Sequence, residues 1–233
     1  AAGKGYYSIV ETLIKANADL RLSGIYRSGN NDGIDYNMTP LMIAAFNNHD
    51  LIVKLLLDNG SEINRINEYG ANALFYAIAN GNTETAKMLL ENGGDANISA
   101  TYGTYGNITP LALASALGDT DLISSLLIGK ANINHIMNNG RTALIWAALS
   151  SKSEAVATLI NARADLNIAD NDGKTALMFA SENGDYNSVE YLINAGANIN
   201  TVDRFSKNAL MYAMENGNLD IVDLIIRVSL NNR

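Results

Sequence analysis

The sequence contains no cysteine, and this absence excludes disulfide bonds, thiolate zinc sites and cysteine nucleophiles. It is also poor in basic residues, with 16 Lys and Arg against 24 Asp and Glu and a formal net charge of −8. Binding to nucleic acid or to an anionic membrane surface needs clustered basic side chains, so neither partner is expected. No apolar run reaches the roughly 18 residues of a membrane-spanning helix. The cellular compartment stays open, with the cytoplasm slightly favoured.

Signatures of metals, cofactors and catalysis are also lacking. His49 and His135 have no ligand partners at the spacing of a metal site. The segment 30–33, Asn-Asn-Asp-Gly, resembles the middle of a calcium loop, but Ser28 and Thr39 stand where that loop needs acidic ligands, so a plain loop is predicted. No serine triad, phosphate-binding glycine loop or pair of catalytic carboxylates has a sequence context. We therefore expect no cofactor, no metal and no enzymatic activity.

One short motif occurs six times in the chain. It consists of Thr or Asn, then a small residue or Pro, then Leu, and it begins at Thr39, Asn72, Thr109, Thr142, Thr175 and Asn208. The step between copies is 33 residues, except for one step of 37. A fixed period in this range indicates a solenoid of stacked units, which cannot bury their apolar faces alone. The hydrophobic fraction of 48% is enough for such a core.

Each copy predicts two short helices. In the copy over residues 37 to 64, Thr39 is a suitable N-cap and Pro40 suits the first helical position. Asp50 is predicted to cap a second helix, and Gly60 to end it in the left-handed conformation. The second helix carries an apolar stripe in this copy and in later ones, at Ile52, Val53, Leu56, Leu57; Leu122, Ile123, Leu126, Leu127; Val156, Leu159, Ile160; Val189, Leu192, Ile193; and Ile221, Val222, Ile225, Ile226.

The residue that ends the second helix varies between copies. It is glycine at three copies and a long basic residue at two, Lys130 and Arg163. A basic side chain can meet the negative end of the helix dipole, but it costs energy in a left-handed conformation. We expect these two repeats to be locally weaker.

An incomplete copy occupies the N-terminus. Its Ala1-Ala2 matches the middle of a repeat, and neither a start Met nor a signal peptide is visible, which favours a fragment or a processed chain. The second helix of this copy is predicted to bury Ile9, Val10, Leu13 and Ile14 against one neighbour.

These units resemble the ankyrin repeat, most clearly from Asp172-Gly173-Lys174-Thr175-Ala176-Leu177 through Gly196-Ala197-Asn198-Ile199-Asn200. The resemblance implies an all-α ankyrin solenoid of helix-turn-helix units with short β-hairpin or turn fingers. One departure is systematic, because the His that follows Leu in the family is replaced by Met42, Phe75, Ala112, Ile145, Met178 and Met211. The hydrogen bond of that His to the Thr is therefore expected to be lost and replaced by apolar packing.

The period organises the chain into a single domain, 1–233. Its predicted parts are a partial repeat at 1–21, an insertion loop at 22–36, a short insertion at 100–106, and repeats near 37–66, 67–99, 107–136, 137–169, 170–202 and 203–231. Both insertions, which include Ser28–Gly33 and Tyr102–Gly106, fall in the fingers, and insertions in solenoids often lie on the binding face.

The resemblance also implies where a partner would bind. Contact residues in the family lie just before each motif and near the end of the first helix. In this sequence those places hold Asp35, Tyr36, Met38, Phe46, Glu68, Tyr69, Tyr105 and Ile108. Exposed aromatic residues suit an interface, although tyrosines could instead pack finger against finger. The C-terminal fingers are polar and partly basic, and the aromatic position shared by Trp146, Phe179 and Tyr212 is read as core.

Three functions remain open from the sequence. The leading hypothesis is a monomeric, non-enzymatic scaffold that binds a protein partner through its concave face of fingers and first helices. The alternatives are an inhibitor or regulator that occludes a partner enzyme, and an architectural spacer within a longer chain. The identity of the partner is not encoded in any recognisable motif.

Overall fold

The computed structural model describes residues 1–27, 35–103 and 106–231, with backbone alone at 25–27, 35–36 and 231. The predicted loop Ser28–Gly33 and the whole of Tyr105 lie outside the described residues. Within them the chain forms thirteen α-helices and four short strands, grouped in two compact units, Ala1–Pro110 and Leu111–Arg233.

The first unit begins with a 3-10 turn, Ala2–Lys4. Its helices and strands are α1 Tyr7–Lys15, β1 Gly24–Arg27, β2 Asp35–Met38, α2 Pro40–Phe46, α3 Asp50–Asp58, α4 Ala73–Ala79, α5 Thr83–Glu91, β3 Ala100–Tyr102 and β4 Gly106–Ile108. The strands form two antiparallel hairpins, β1 with β2 and β3 with β4, in which Gly24 lies opposite Met38 and Ala100 opposite Ile108. The two insertions therefore lengthen fingers into β-hairpins.

The second unit consists of helix pairs with short turns between them. Its helices are α6 Pro110–Leu117, α7 Thr120–Ile128, α8 Ala143–Leu149, α9 Ser153–Asn161, α10 Ala176–Asn183, α11 Tyr186–Asn194, α12 Ala209–Glu215 and α13 Leu219–Asn231. First helices pack side by side, α8 on α10 and α10 on α12, while second helices pack as α7 on α9, α9 on α11 and α11 on α13. The solenoid of stacked helix pairs that the period predicts is confirmed, as is the ankyrin architecture that the resemblance implies.

The motif residues cap the first helices as predicted. The Thr39 and Asn72 side chains accept the backbone N–H groups of Met42 and Phe75, at 3.2 and 2.8 Å. Thr142, Thr175 and Asn208 make the same bond. In the family, the His after Leu forms a hydrogen bond with the Thr of the motif. In one copy of this chain a methionine partly replaces that bond, because the Met42 sulfur accepts the backbone N–H of Thr39 at 3.4 Å.

The predicted capping role of Asp50 is wrong. Helix α3 begins at Asp50 itself, after His49, so the carboxylate lies inside the helix and cannot reach back to cap it. It accepts instead a hydrogen bond from the Thr85 hydroxyl of the next repeat. Asp119 and Asp185, which do stand one residue before their helices, accept first-turn N–H groups at 3.0 and 3.1 Å.

The N-terminal copy buries less than its sequence predicts. Only Val10 of α1 is buried, whereas Ile9 and Leu13 are about half exposed. The equivalent residues of α3, Ile52 and Leu56, are fully buried. The same amphipathic stripe therefore has different burial because α3 is packed by neighbours on more sides than α1 is.

Replacing Lys130 with glycine is expected to raise the free energy of unfolding by up to about 1 kcal/mol, since the residue has φ of 64° and an L side chain is strained there. Arg163, with φ of 66°, should respond in the same way. Urea denaturation measures the change.

Lys152→Gly is the control for that measurement, because Lys152 has φ of −103°, where glycine relieves no strain and adds freedom to the unfolded chain. It should lower stability. A loss at Lys130→Gly as large as at Lys152→Gly would show that the left-handed conformation costs nothing here.

Candidate functional site

The finger over residues 67–71 is held by the side chain of Asn67. Its amide oxygen accepts the backbone N–H groups of Tyr69 and Ala71, both at 3.1 Å. Its amide nitrogen donates to the Tyr76 hydroxyl at 2.7 Å, which ties the finger to helix α4. This Asx-type turn leaves Glu68 exposed and Tyr69 half-buried at the finger.

Adjacent fingers of the first unit are in direct contact. The backbone N–H of Thr101, in β3, donates to the Tyr69 carbonyl at 2.9 Å. Gly70 has φ of 77°, and a Cβ there would lie 2.5 Å from the Ser99 carbonyl oxygen, so only glycine fits between the two fingers. The backbone of Tyr69 is therefore fixed independently of its side chain.

A cluster of aromatic rings lies beside these fingers. Phe75 and Tyr76 are buried in α4, and their rings are edge to face, with centroids 6.5 Å apart. Phe46 packs on Tyr76 at 6.2 Å, and Tyr102 packs on Phe75 at 5.7 Å, both in edge geometry. Phe46 and Tyr102 are half-buried, so each has one side supported by the core.

The end of helix α2, where Phe46 stands, is tied to the next repeat by amide side chains. Asn80 donates to the Phe46 carbonyl at 2.7 Å, and Asn82 donates to the Ala45 carbonyl at 2.8 Å. These bonds satisfy carbonyl groups that a helix end leaves without intrahelical partners. We use the name aromatic surface for three half-buried aromatic residues of the first unit, Phe46, Tyr69 and Tyr102.

The structure removes two residues from the predicted set. Met38 and Ile108 are 1% and 0% exposed, because each ends the second strand of a hairpin with its side chain turned into the core. Neither can present a side chain to a partner. Asp35 and Tyr36 lie in β2, opposite Arg27 and Tyr26, and no more is described of them.

Tyr102 is a member of the aromatic surface that the sequence pattern does not select. The pattern places it in the short insertion, where a loop is predicted. The spacing between Tyr102 and Ile108 is a usable signal, since it is short enough for a β-hairpin. The strand residues of such a hairpin face the helices.

The second unit presents a different surface, on which cations lie over aromatic rings. Trp146, Phe179 and Tyr212 are buried, as predicted for a core position. The Lys174 ammonium lies 4.5 Å from the Phe179 ring centroid and 4.1 Å from that of Tyr212, and it pairs with Glu182 at 2.5 Å. The sequence places Lys174 on a polar, partly basic finger, and the structure shows its side chain packed between two repeats.

Arg141 occupies the equivalent place one repeat earlier. Its guanidinium lies 5.2 Å from the Trp146 ring centroid and 5.3 Å from that of Phe179. It also pairs with the buried carboxylate of Asp170 at 3.4 Å. The basic residues of these fingers are therefore partly used in packing repeats together.

The buried carboxylate of Asp203 completes this arrangement. One oxygen accepts the backbone N–H groups of Phe205 and Lys207 at 2.9 Å, and the other accepts the Tyr212 hydroxyl at 2.5 Å. Burial alone would raise the pKa of Asp203, but the hydrogen bonds from Tyr212 and the two N–H groups outweigh it and lower that pKa. Burial and the Asp203 carboxylate raise the pKa of Tyr212, so its hydroxyl stays protonated and donates.

Among the described residues no three or more His, Asp or Glu side chains converge as a metal site. None of the helices in that part of the chain has the length and apolarity to cross a membrane. What the aromatic surface offers chemically is apolar contact area with an acidic residue, Glu68, beside it.

Comparisons with known proteins agree with this architecture. The family model described as "Ankyrin repeats (3 copies)" matches residues 1–101, 111–203 and 153–233. Among solved structures, the human ASB11 ankyrin repeat domain is similar with a TM-score of 0.74 and 24% sequence identity, over 91% of this chain and 89% of that one. That likeness shows the fold. No curated protein matches the sequence significantly.

Proposed function

The chain belongs to the ankyrin repeat family, whose repeats are generally protein–protein interaction modules, and we propose that it is a non-enzymatic module that binds a protein partner through the aromatic surface of its first unit. The observation that carries the proposal is the packing of Phe46 and Tyr102 against the buried Phe75–Tyr76 pair. Tyr36 and Tyr105 of the neighbouring fingers are proposed to extend this surface.

Supported rings are suited to act as anchors. A ring that is already held on one side loses little side-chain entropy when a partner covers its other side. Interface hot spots are enriched in aromatic residues for this reason and for their large contact area. The partner is therefore proposed to insert an apolar side chain against Phe46 and Tyr69.

Acidic residues define the proposed rim. Glu68 is exposed next to Tyr69, Asp35 precedes Tyr36, and the chain carries a net charge of −8. A partner with basic residues around its apolar anchor would complement this rim. Rim charges mainly affect the association rate and its salt dependence, whereas buried anchors determine how long the complex lasts.

Tyr69→Ala is expected to weaken binding by more than about 1 kcal/mol, as truncation of an aromatic anchor does. The variant should fold, because the two backbone hydrogen bonds that join Tyr69 to Asn67 and Thr101 remain available to alanine. Candidate partners are the proteins that the wild type captures from the native cell and the Tyr69→Ala variant does not. Calorimetry then measures the binding free energy of each candidate with both forms.

Tyr191→Ala is the matched control, since Tyr191 is also half-buried but lies in helix α11 of the second unit. Arg204→Ala, on an exposed C-terminal finger, should likewise cost little. Lys174 is unsuitable as a control because its truncation would disturb the packing of Phe179 and Tyr212. Binding that depends on Tyr191 or Arg204 and not on Tyr69 would place the site elsewhere and overturn the proposal.

A further inference from the structure

Helix α13 differs from the other second helices in length and in its surface. It has 13 residues, whereas α3, α5, α7, α9 and α11 have 9 each. One face is buried in its own repeat through Ile221 and Ile225. The helix also carries apolar residues that its own repeat does not bury.

These residues form a second stripe. Leu219, Ile226 and Leu230 are 72%, 41% and 63% exposed, and Val222 is half-buried. Their spacing of i, i+3, i+7 and i+11 keeps all four on one side of an α-helix, as in the seam of a helix pair. Exposed apolar residues that line up in this way mark an interaction surface more than scattered ones do.

The equivalent apolar face of the preceding repeat is buried against a neighbouring helix. In α11 the residues equivalent to Val222 and Ile226 are Val189 and Ile193, and both are buried. They lie on a helix that packs against α13. The exposed stripe of α13 therefore has the form of a face that packs alongside another helix.

We infer that the stripe of α13 pairs with the same stripe of a second copy of this chain, with the two helices antiparallel around a two-fold axis. This surface lies in the second unit, so the inference does not depend on the proposed function. The sequence-based expectation of a monomer would then hold only at low concentration.

The charged residues beside the stripe favour a second copy of this chain as the partner. Asp223 and Arg227 lie one turn apart next to Ile226, and neither forms an ion pair with another part of the chain that the structure describes. When Leu219 of one copy lies opposite Leu230 of the other, Asp223 falls within about one residue, or 1.5 Å, of facing Arg227 of the second copy. The antiparallel two-fold pair therefore brings two opposite-charge contacts, which the axis relates to each other.

The size of the stripe sets the expected affinity. A contact along one short helix buries less than about 1,200 Å² in total, which is the range of weak and transient complexes. We expect a dissociation constant on the order of 100 μM, as such weak complexes show.

Sedimentation equilibrium of the full chain tests the inference. The weight-average mass should rise from the monomer value of 24.9 kDa toward twice that value as the concentration increases from about 10 μM to about 1 mM, a range that spans the expected constant. A mass that stays at the monomer value throughout would overturn the inference, as would growth past a dimer, which indicates head-to-tail stacking.

Two leucines with the same exposure provide a matched pair of variants. Leu219→Glu should weaken association at least about tenfold, since it buries a charge in the seam. Leu51→Glu should leave it unchanged, because Leu51 is also 72% exposed but lies in α3 of the first unit. Equal effects of the two, or none at Leu219, would contradict the pairing of α13.

A charge exchange tests the antiparallel geometry itself. Asp223→Arg should weaken association about tenfold through like-charge contacts, and adding Arg227→Asp should restore it to within about threefold of the wild type. Restoration requires that both residues face each other across copies. Failure of the double variant to restore association, with circular dichroism showing an intact helix, would refute the arrangement.

Discussion

Replacement of Asp203 by alanine is expected to lower the free energy of unfolding by about 3 kcal/mol, since it removes three hydrogen bonds from a buried site. The backbone N–H groups of Phe205 and Lys207 and the hydroxyl of Tyr212 would all lose their acceptor. Tyr212 lies in the core, so water cannot replace the carboxylate there without opening the packing. Chemical denaturation followed by circular dichroism measures the loss.

An asparagine at the same position is the matched control, and the chain itself shows why. In the first unit Asn67 accepts two backbone N–H groups and donates to Tyr76, nine residues on, as Tyr212 is nine residues after Asp203. The finger therefore tolerates either an amide or a carboxylate, with the direction of the tyrosine bond reversed. Asp203→Asn should cost less than about 1.5 kcal/mol, the worth of one hydrogen bond. A loss as large as that of Asp203→Ala would show that the negative charge, and not the hydrogen bonds, stabilises the finger.

The same pair predicts a dependence on pH. The pKa of Asp203 is lowered in the folded protein, so its contribution is present above the ordinary carboxyl pKa of 3.8. That contribution is lost as the pH falls through the lower folded value. The difference in stability between the wild type and Asp203→Asn should therefore shrink below about pH 4, because asparagine does not titrate. A difference that stays constant down to pH 2 would contradict the lowered pKa.

Gly140→Ala is expected to lower the free energy of unfolding by about 2–5 kcal/mol, from backbone strain and overpacking together. Gly140 has φ of 78°, and an added Cβ would lie 2.5 Å from the backbone nitrogen of Asn171 and 2.7 Å from the carbonyl carbon of Asp170. Those atoms belong to the next finger, which is bonded to this one from Asn171 to the Asn139 carbonyl at 3.1 Å. Neither finger can move without breaking that bond.

Gly196→Ala separates the two parts of that loss. Gly196 has φ of 91° but nothing within 4 Å of an added Cβ, so alanine there suffers the conformational strain alone, about 1–2 kcal/mol. Thermal unfolding of the two variants gives the comparison. Equal losses would mean that the fingers of the second unit separate easily and that their close approach is not a constraint.

The position of the helices follows from local sequence. Thr39 and Asn72 cap their helices because a side-chain oxygen one residue before a helix reaches the first-turn N–H groups whatever lies around it. Lys130 and Arg163 adopt the left-handed conformation because the repeat register places them where the other copies have glycine. These features depend on interactions between residues a few positions apart, so the spacing of the motif predicts them.

The composition of the candidate site follows less well from the sequence. Met38 and Ile108 are expected at the surface, but the strand pairing of the two hairpins directs them inward, where they are buried. Lys174 is expected only as one residue of a polar, partly basic finger, but the first helix of the next repeat supplies Tyr212 as a second ring for its ammonium. In each case the environment comes from a segment distant in sequence.

The sequence by itself determined the repeat period, the helices of each unit, the caps of the first helices and the family to which the chain belongs, because all of these depend on local chemistry copied from repeat to repeat. Only the tertiary structure decided which apolar residues are covered. Val189 and Val222 occupy the same position of successive repeats, yet only Val189 is buried, since a further helix lies against α11 and none in the described residues lies against the equivalent face of α13. Burial is a property of neighbours, and a repeated sequence gives the same residue different neighbours at different places in the solenoid.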